Sequence, residues 1–264
     1  DVLPRQGVSV RLAASGAVED VAACLSPATT VIYTETPTNP LLRIVDLAAM
    51  AGLARKHEAR LVVDGTLGGP VNQSPLALGA DLVVHSASKY LNGHGDVIAG
   101  AVVGARELTR RLRTLQQASG AILDPHPAWL LLRGMATYPL RMAQHNRGGK
   151  QVAAFLAFHP KVLRVHYPGL ASHPDHTLAC RQMTGFGGLM SFELADGAAA
   201  RITVDRTRLF SIGASLGGVE SLISQPGNTS HHSIPTERRL AMGIAPGLVR
   251  ISVGIEDPQD LIAD

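Results

Sequence analysis

Asp81-Leu82-Val83-Val84-His85-Ser86-Ala87-Ser88-Lys89-Tyr90-Leu91-Asn92-Gly93-His94-Gly95-Asp96 is a short apolar run that stops at two hydroxyls and one lysine. Val83 and Val84 suit a buried strand, and the polar residues behind them mark where that strand leaves its sheet. In an open α/β sheet the carboxyl ends of the strands face the ligand crevice, which stands Lys89 at its lip with Ser86 and Ser88 beside it. A lysine taken alone is most often a solvated loop cation. Desolvated, or set beside another cation, it is an amine able to condense with a carbonyl.

Twenty-five residues upstream, Arg60-Leu61-Val62-Val63-Asp64 is a second β-branched run, ending on a carboxylate. An aspartate in that position is often a turn cap. On the neighbouring strand of the same sheet it also comes close to Lys89. An amine, an acid and paired hydroxyls on adjacent strand ends meet the needs of pyridoxal phosphate: an attachment lysine, a partner for the pyridinium nitrogen and donors for the phosphate.

Five further segments fall in order along the chain: Glu35-Thr36-Pro37-Thr38-Asn39-Pro40, Val62-Val63-Asp64-Gly65-Thr66, Pro75-Leu76-Ala77-Leu78-Gly79-Ala80-Asp81, Val84-His85-Ser86-Ala87-Ser88-Lys89-Tyr90-Leu91 and Gly93-His94-Gly95-Asp96. With these segments the whole chain resembles the transsulfuration family of pyridoxal-phosphate enzymes of cysteine and methionine metabolism, which includes cystathionine γ-synthase, cystathionine γ-lyase and methionine γ-lyase. The resemblance implies an α/β fold of the type I pyridoxal-phosphate transferase class: a mostly parallel sheet flanked by helices, followed by a smaller C-terminal α+β domain. Residues 1–145 would form the cofactor-binding domain and residues 146–264 the small one. It also implies roles for individual residues. Lys89 would carry the cofactor and move protons; Asp64 would face its ring nitrogen, and Ser86, Ser88 and Thr66 would help to bind it. Asn39 would lie against the ring oxygen and the substrate carboxylate, Ser215 near the lysine and that same carboxylate, and Arg250 would grip the carboxylate itself. Cytoplasmic homotetramers built from dimers that share active sites are the implied assembly.

Composition sets the bounds. The chain has 264 residues, 45% of them hydrophobic, enough for one large or two modest domains, and no apolar run reaches membrane-spanning length. A net charge of +3 without a dense basic block argues against nucleic acid. Cys24 and Cys180 form no close pair and read as thiols of a reduced compartment. No leader peptide is visible. Set against the family, the chain is expected to be part of a longer protein: the portion with the ring-stacking aromatic, a Gly-Met phosphate clamp and the residues donated by a neighbouring subunit would precede Asp1, and the last helix would run past Asp264.

Taken in order, a strand is expected over Val8–Leu12, a helix over Ala17–Leu25 and a strand over Thr30–Thr34. Two prolines in Thr36-Pro37-Thr38-Asn39-Pro40 enforce a rigid turn, a good mount for a binding side chain. Asp46 caps a helix whose apolar side is Leu47, Met50, Ala51 and Ala54. Val97–Val103 supplies another strand and Glu107–Gln117 another helix. One longer helical stretch spans about residues 127–158, with Trp129, Leu130, Leu132, Met135, Leu140 and Met142 as a core or subunit-contact side. Beyond it, short strands are expected over Leu163–His166, Gly188–Leu194, Leu209–Ile212 and Val249–Val253.

Several motifs admit a competing reading. His173-Pro174-Asp175-His176 has its histidines three apart with a proline between, so loop histidines suit it better than a helical zinc site, and the same holds for His231-His232. Gly213-Ala214-Ser215-Leu216-Gly217 fits a G-x-S-x-G nucleophile elbow between strand-like and helix-like stretches. Only Glu220 precedes His231 and His232 as the acid, too tight a spacing for that hydrolase fold. No G-x-G-x-x-G follows the first strand, which leaves a dinucleotide module without support. Arg250 sits among β-branched residues, where a guanidinium needs an anion, either a structural carboxylate or that of a substrate. For the reaction the resemblance implies elimination or replacement at Cγ of a sulfur amino acid. Family members that handle cystathionine usually carry a glutamate before the Ser-Leu-Gly run, where this chain has Ala214, which favours methionine γ-elimination. Gly217-Gly218-Val219-Glu220-Ser221-Leu222-Ile223 still looks like the cystathionine enzymes. Thr229-Ser230-His231 departs from the usual Met-Thr-His, and Gly65 from the usual asparagine.

Overall fold

The computed structural model describes residues 2–264. After α1 (Val18–Ala23), β1 (Val31–Glu35) enters a four-stranded sheet, followed by α2 (Leu47–Lys56), β2 (Arg60–Asp64), α3 (Gly69–Asn72), β3 (Leu82–Ser86) and β4 (Gly100–Gly104). The strands lie in chain order, β1, β2 and β3 parallel and β4 antiparallel. α2 is the expected crossover: the Asp46 carboxylate accepts from the Ala49 amide at 3.0 Å, and Leu47, Met50, Ala51 and Ala54 are buried. They pack on Ile32, Leu61 and Val63 of the sheet.

α4 (Arg106–Ser119), α5 (Pro125–Met135) and α6 (Tyr138–Phe158) lead to a second sheet. It contains β5 (Arg164–His166), β6 (Leu189–Glu193), β7 (Ser211–Ile212), β8 (Leu222–Ser224) and β9 (Leu248–Ser252), in the order β5-β6-β9-β8-β7 and antiparallel except for β7 with β8. α7 (His176–Gln182), α8 (Gly197–Arg206), α9 (Thr236–Ala241) and α10 (Pro258–Ala263) complete it. Its core gathers Met190, Phe192, Ile223, Val249, Ile251 and Val253. A third cluster, with Leu67, Tyr90, Tyr138, Met142, Leu189 and Leu216, joins the two sheets. The division near residue 145 proposed from the sequence lies inside α6, which gives Met142 to that joint and Val152 to the second core.

Four expectations need correction. Val8–Leu12 forms no strand; Val8, Val10 and Leu12 are exposed, and among the described residues no strand pairs with them. β4 starts at Gly100 rather than Val97 and runs antiparallel, because no helix intervenes to carry the chain back for a parallel return. The stretch of residues 127–158 is two helices. Pro139 stands in the first turn of α6, where its missing N–H costs nothing, but it could not continue α5. Of the apolar side expected there only Met142 is fully buried; Trp129, Leu132, Met135 and Leu140 are exposed, and the inward side carries Gly134, Tyr138 and His145 instead.

Candidate active site

The ends of the three parallel strands and one loop of the second sheet meet at a single place. β2 and β3 pair through Asp64 and Val84, so Asp64 ends its strand beside the segment that turns at Ser86. Lys89 follows on a tight turn, its amide donating to the Ser86 carbonyl at 3.1 Å. The Lys89 ammonium donates to Ser215 Oγ at 2.9 Å. Burial, and then the Arg250 charge, lower the Lys89 pKa from its ordinary value.

Ser215 reaches Lys89 because its loop is strapped down on both sides. The Gly217 amide donates to Ser252 Oγ at 2.9 Å, and the Val219 amide to the Gly93 carbonyl at 2.9 Å. Gly217 has φ of 73°, and a Cβ there would stand 2.8 Å from the Tyr90 amide nitrogen. The loop leads from β7 into β8, so the strand-to-helix context of a nucleophile elbow is absent. The Ser215 hydroxyl is engaged by Lys89, and no histidine bonds it among the described residues.

Arg250, 2% exposed, is the largest fully buried side chain. Its guanidinium donates to Asn39 Oδ1 at 3.1 Å and to the carbonyls of Ala214 and Ser215 at 2.6 and 3.2 Å. Among the described residues no carboxylate lies within 4.0 Å of it, so the structural salt bridge weighed from the sequence is not formed. Burial lowers its pKa. Only neutral oxygens face a desolvated cation, which leaves a seat for an anion. Asn39 is held by the turn after β1, where both X–Pro bonds are cis and the Pro40 carbonyl accepts from Ser191 Oγ of β6 at 2.8 Å.

At the cofactor end, Asp64 Oδ1 accepts from the Thr66 amide at 2.9 Å, and Thr66 Oγ1 accepts from the Ser86 amide at 2.8 Å. Ser88 spends its hydroxyl on Ala99, accepting from the amide at 2.9 Å and donating to the carbonyl at 3.3 Å. That bond ties down the turn and leaves Ser86 with the freer hydroxyl. Asp64 has no cationic partner within 4.0 Å among the described residues. An acid without a counter-ion, a desolvated amine and hydroxyls on neighbouring strand ends fit pyridoxal phosphate in donor chemistry: the acid for a protonated ring nitrogen, the amine for the aldehyde carbon.

Three nearby groups were missed in the sequence. Tyr33 donates its phenol to Asp64 Oδ2 at 3.3 Å, and its pKa is pushed up to about 12 by burial and the Asp64 charge. Glu35 stands opposite Asp64 in the β1–β2 register; burial and the Asp64 charge raise its pKa to about 7, while the Asn39 amide works the other way. The His231 imidazole lies toward the Asn39 backbone and Arg250; burial and that guanidinium lower its pKa. The alternating pattern of β1 would have found the first two, had their common face been related to Asp64. His173, Asp175 and His176 serve the loop: Asp175 holds Arg43 at 2.6 and 3.0 Å, and His176 Nδ1 contacts the Pro168 carbonyl at 2.7 Å. Among the described residues no three such ligands are arranged for a metal.

Fold and site together define a class of protein: an α/β enzyme with an amine and an acid at neighbouring strand ends and a buried arginine nearby, a donor set that fits pyridoxal phosphate. The chain belongs to the Cys/Met metabolism PLP-dependent enzyme family, which it matches over residues 1–264. It is 47% identical over 264 residues to cystathionine γ-lyase of Bacillus subtilis, covering all of this chain and 70% of that one. It is 49% identical over 261 residues to L-methionine γ-lyase of Pseudomonas putida, covering 98% of this chain and 66% of that one. The crystal structure of cystathionine γ-lyase from Lactobacillus plantarum complexed with L-serine superposes with a TM-score of 0.91 at 45% identity, over 94% of this chain and 65% of that one. The chain therefore spans about two thirds of the length of the relatives it matches.

Proposed function

We propose that the chain is the cofactor- and substrate-holding part of a carbon–sulfur lyase that performs γ-elimination on a sulfur amino acid, with methionine favoured. One observation carries this reading: buried Arg250, without a carboxylate of its own, is bonded to the carbonyl of the same Ser215 whose hydroxyl takes the Lys89 amine. A substrate carboxylate seated there brings its α-carbon toward the lysine.

Pyridoxal phosphate, when bound, supplies an electron sink conjugated with the substrate α-carbon. Arg250 and Asn39 hold the substrate carboxylate and fix which bonds at that carbon face Lys89. Lys89, with its pKa lowered, has a neutral fraction able to take a proton from Cα and return one further along the chain. Ser215 holds the amine in place between those transfers. Asp64 would face the ring nitrogen of the bound cofactor, and Thr66 and Ser86, tied to it and to each other, would help to hold the group.

Ala214 directs the choice of substrate. Relatives that handle cystathionine usually carry a carboxylate there, and a methyl group leaves a distal ammonium without a partner while suiting an apolar thioether. A cystathionine γ-lyase, or a cystathionine γ-synthase acting by γ-replacement on an O-acylhomoserine, is the second reading; the run Gly217–Ile223 favours it. A cytoplasmic homotetramer belongs to the same proposal. It is supported by the exposed Trp129, Leu132 and Leu140 and by two free cysteines. No helix among the described residues is long and apolar enough to cross a membrane.

Borohydride reduction followed by peptide mass mapping tests the core of the reading: a reduced pyridoxyl adduct is expected on Lys89 and absent from Lys89→Ala. Methionine, cystathionine and O-acylhomoserine offered separately then distinguish the reactions. Methanethiol with 2-oxobutyrate is expected from methionine; cysteine from cystathionine, or a condensed thioether, would move the assignment to the second reading.

A further inference from the structure

Glu35 is the last residue of β1, and its Cα partner across the parallel pair is Asp64. Residues opposite each other on neighbouring strands project to one face, so the two carboxylates stand side by side on the face that also carries Tyr33. Asp64 is already engaged: one oxygen takes the Thr66 amide and the other the Tyr33 phenol. The backbone amide of Asn39, the residue whose side chain holds Arg250, is close enough to Glu35 to favour its charged form. Among the described residues neither carboxylate has a Lys, Arg or His within 4.0 Å. A half-buried acid beside a second acid, with no cation to offset either, is a poor structural choice. It gains a reason if a cation is expected from outside the chain.

We propose that Glu35 is a positioning residue which couples the two ends of the site: with Asp64 it forms a carboxylate pair facing the cofactor ring nitrogen, and through the Asn39 amide it fixes the turn that holds Arg250. The inference rests on the pyridoxal-phosphate reading above. A carboxyl held beside a second carboxylate and out of water keeps its proton to higher pH than usual, and in this pair that carboxyl is Glu35. That direction agrees with a Glu35 pKa near 7. The charged and titratable groups that face Glu35 are Asp64 from β2 and Tyr33 from its own strand, and His85 from β3 faces Asp64; Tyr33 stays neutral through this range, and burial lowers the His85 pKa. As Glu35 ionises, a second negative charge appears next to Asp64 and favours the protonated ring nitrogen, so cofactor affinity and the visible absorption of the bound cofactor shift with pH.

The test compares the intact protein with Glu35→Gln, which keeps an acceptor for the Asn39 amide and loses the titration. In the cofactor-free wild type, Glu35 binds a proton more tightly folded than unfolded. Its contribution to stability is full below about pH 4.5 and is lost as the pH rises through about 7. Glu35→Gln removes that fall, read as the wild-type-minus-variant difference in denaturation midpoints across this range. With pyridoxal phosphate added, wild-type affinity rises about tenfold more across the transition than that of Glu35→Gln, the rise due to the Lys89 amine being common to both. Equal pH dependence of stability and of cofactor affinity in the two proteins overturns the proposal. If the wild type forms no reducible adduct on Lys89, the cofactor reading fails instead, while the cofactor-free stability comparison still reports on the carboxylate pair.

Discussion

At the scale of the residue, Arg250 shows how context turns a common side chain into a ligand group. A guanidinium 2% exposed and met only by an amide oxygen and two carbonyls retains a charge that a carboxylate can neutralise with two parallel bonds. Lysine would keep the charge but not the fork. Arg250→Lys is therefore expected to raise KM for the amino-acid substrate by about tenfold or more and to change kcat less, because most of what is lost is held equally in ground and transition states. Steady-state kinetics with the preferred substrate checks this; an unchanged KM would detach Arg250 from the carboxylate. Lys89 and Asp64 could be picked out in the sequence because each is a chemically conspicuous type at the end of an apolar run, whereas Asn39 in its rigid turn and Arg250 inside an apolar run took their roles from the family resemblance. Glu35 and Tyr33 share a face by the alternation of β1, but their significance lies in the register that sets them beside Asp64, not in their neighbours along the chain.

At the scale of the element, close approach decides which helices can carry a glycine without cost and which depend on it. Gly149 of α6 lies so near the second sheet that a Cβ would stand 2.2 Å from the Gly187 carbonyl oxygen. Gly52 in α2 has nothing within 4 Å. Alanine is the better helix former by about 1 kcal/mol, but overpacking against backbone costs about 1–3 kcal/mol. Gly52→Ala is expected to raise stability by up to about 1 kcal/mol, and Gly149→Ala to lower it by about 1–2 kcal/mol, both read from urea midpoints. Elements with a strong local signal were legible: α2 from its cap and apolar stripe, β2 and β3 from β-branched runs. α8 has the same kind of cap, with the Asp196 carboxylate accepting from the Ala199 amide at 2.8 Å, yet only Ala200 and Val204 of it are buried and its periodicity is faint. β8 is three residues long and earns its strand character only by pairing with β9 and β7.

At the scale of the whole molecule, burial of neutral histidines links stability to pH. His85, His145 and His173 all have pKa values below the ordinary 6.5, with desolvation the largest cause in each. A group of this kind contributes stability that is present above 6.5 and lost as the pH falls below it, since the unfolded chain then binds more protons. His166 and His231 are lowered for the same reason, and Glu35 slopes the opposite way, so with five imidazoles against one carboxyl the protein is expected to be less stable at about pH 5.5 than at about pH 7.5. His145→Gln should show a smaller drop in urea midpoint between those conditions than the wild type; an equal drop would remove His145 from the account. The sequence by itself determined the α/β class, the parallel strand pair that brings Asp64 and Lys89 to one edge and the cofactor, because these rest on local periodicity and on side-chain types at strand ends, and the family through the resemblance of its ordered motifs. Only the tertiary structure decided that the loop of Ser215 is clamped over Lys89, that Arg250 has no internal counter-ion, that β4 turns back antiparallel and that Glu35 faces Asp64. Those facts depend on contacts between residues far apart in the chain, where packing and strand register, not local propensity, set the lowest free energy.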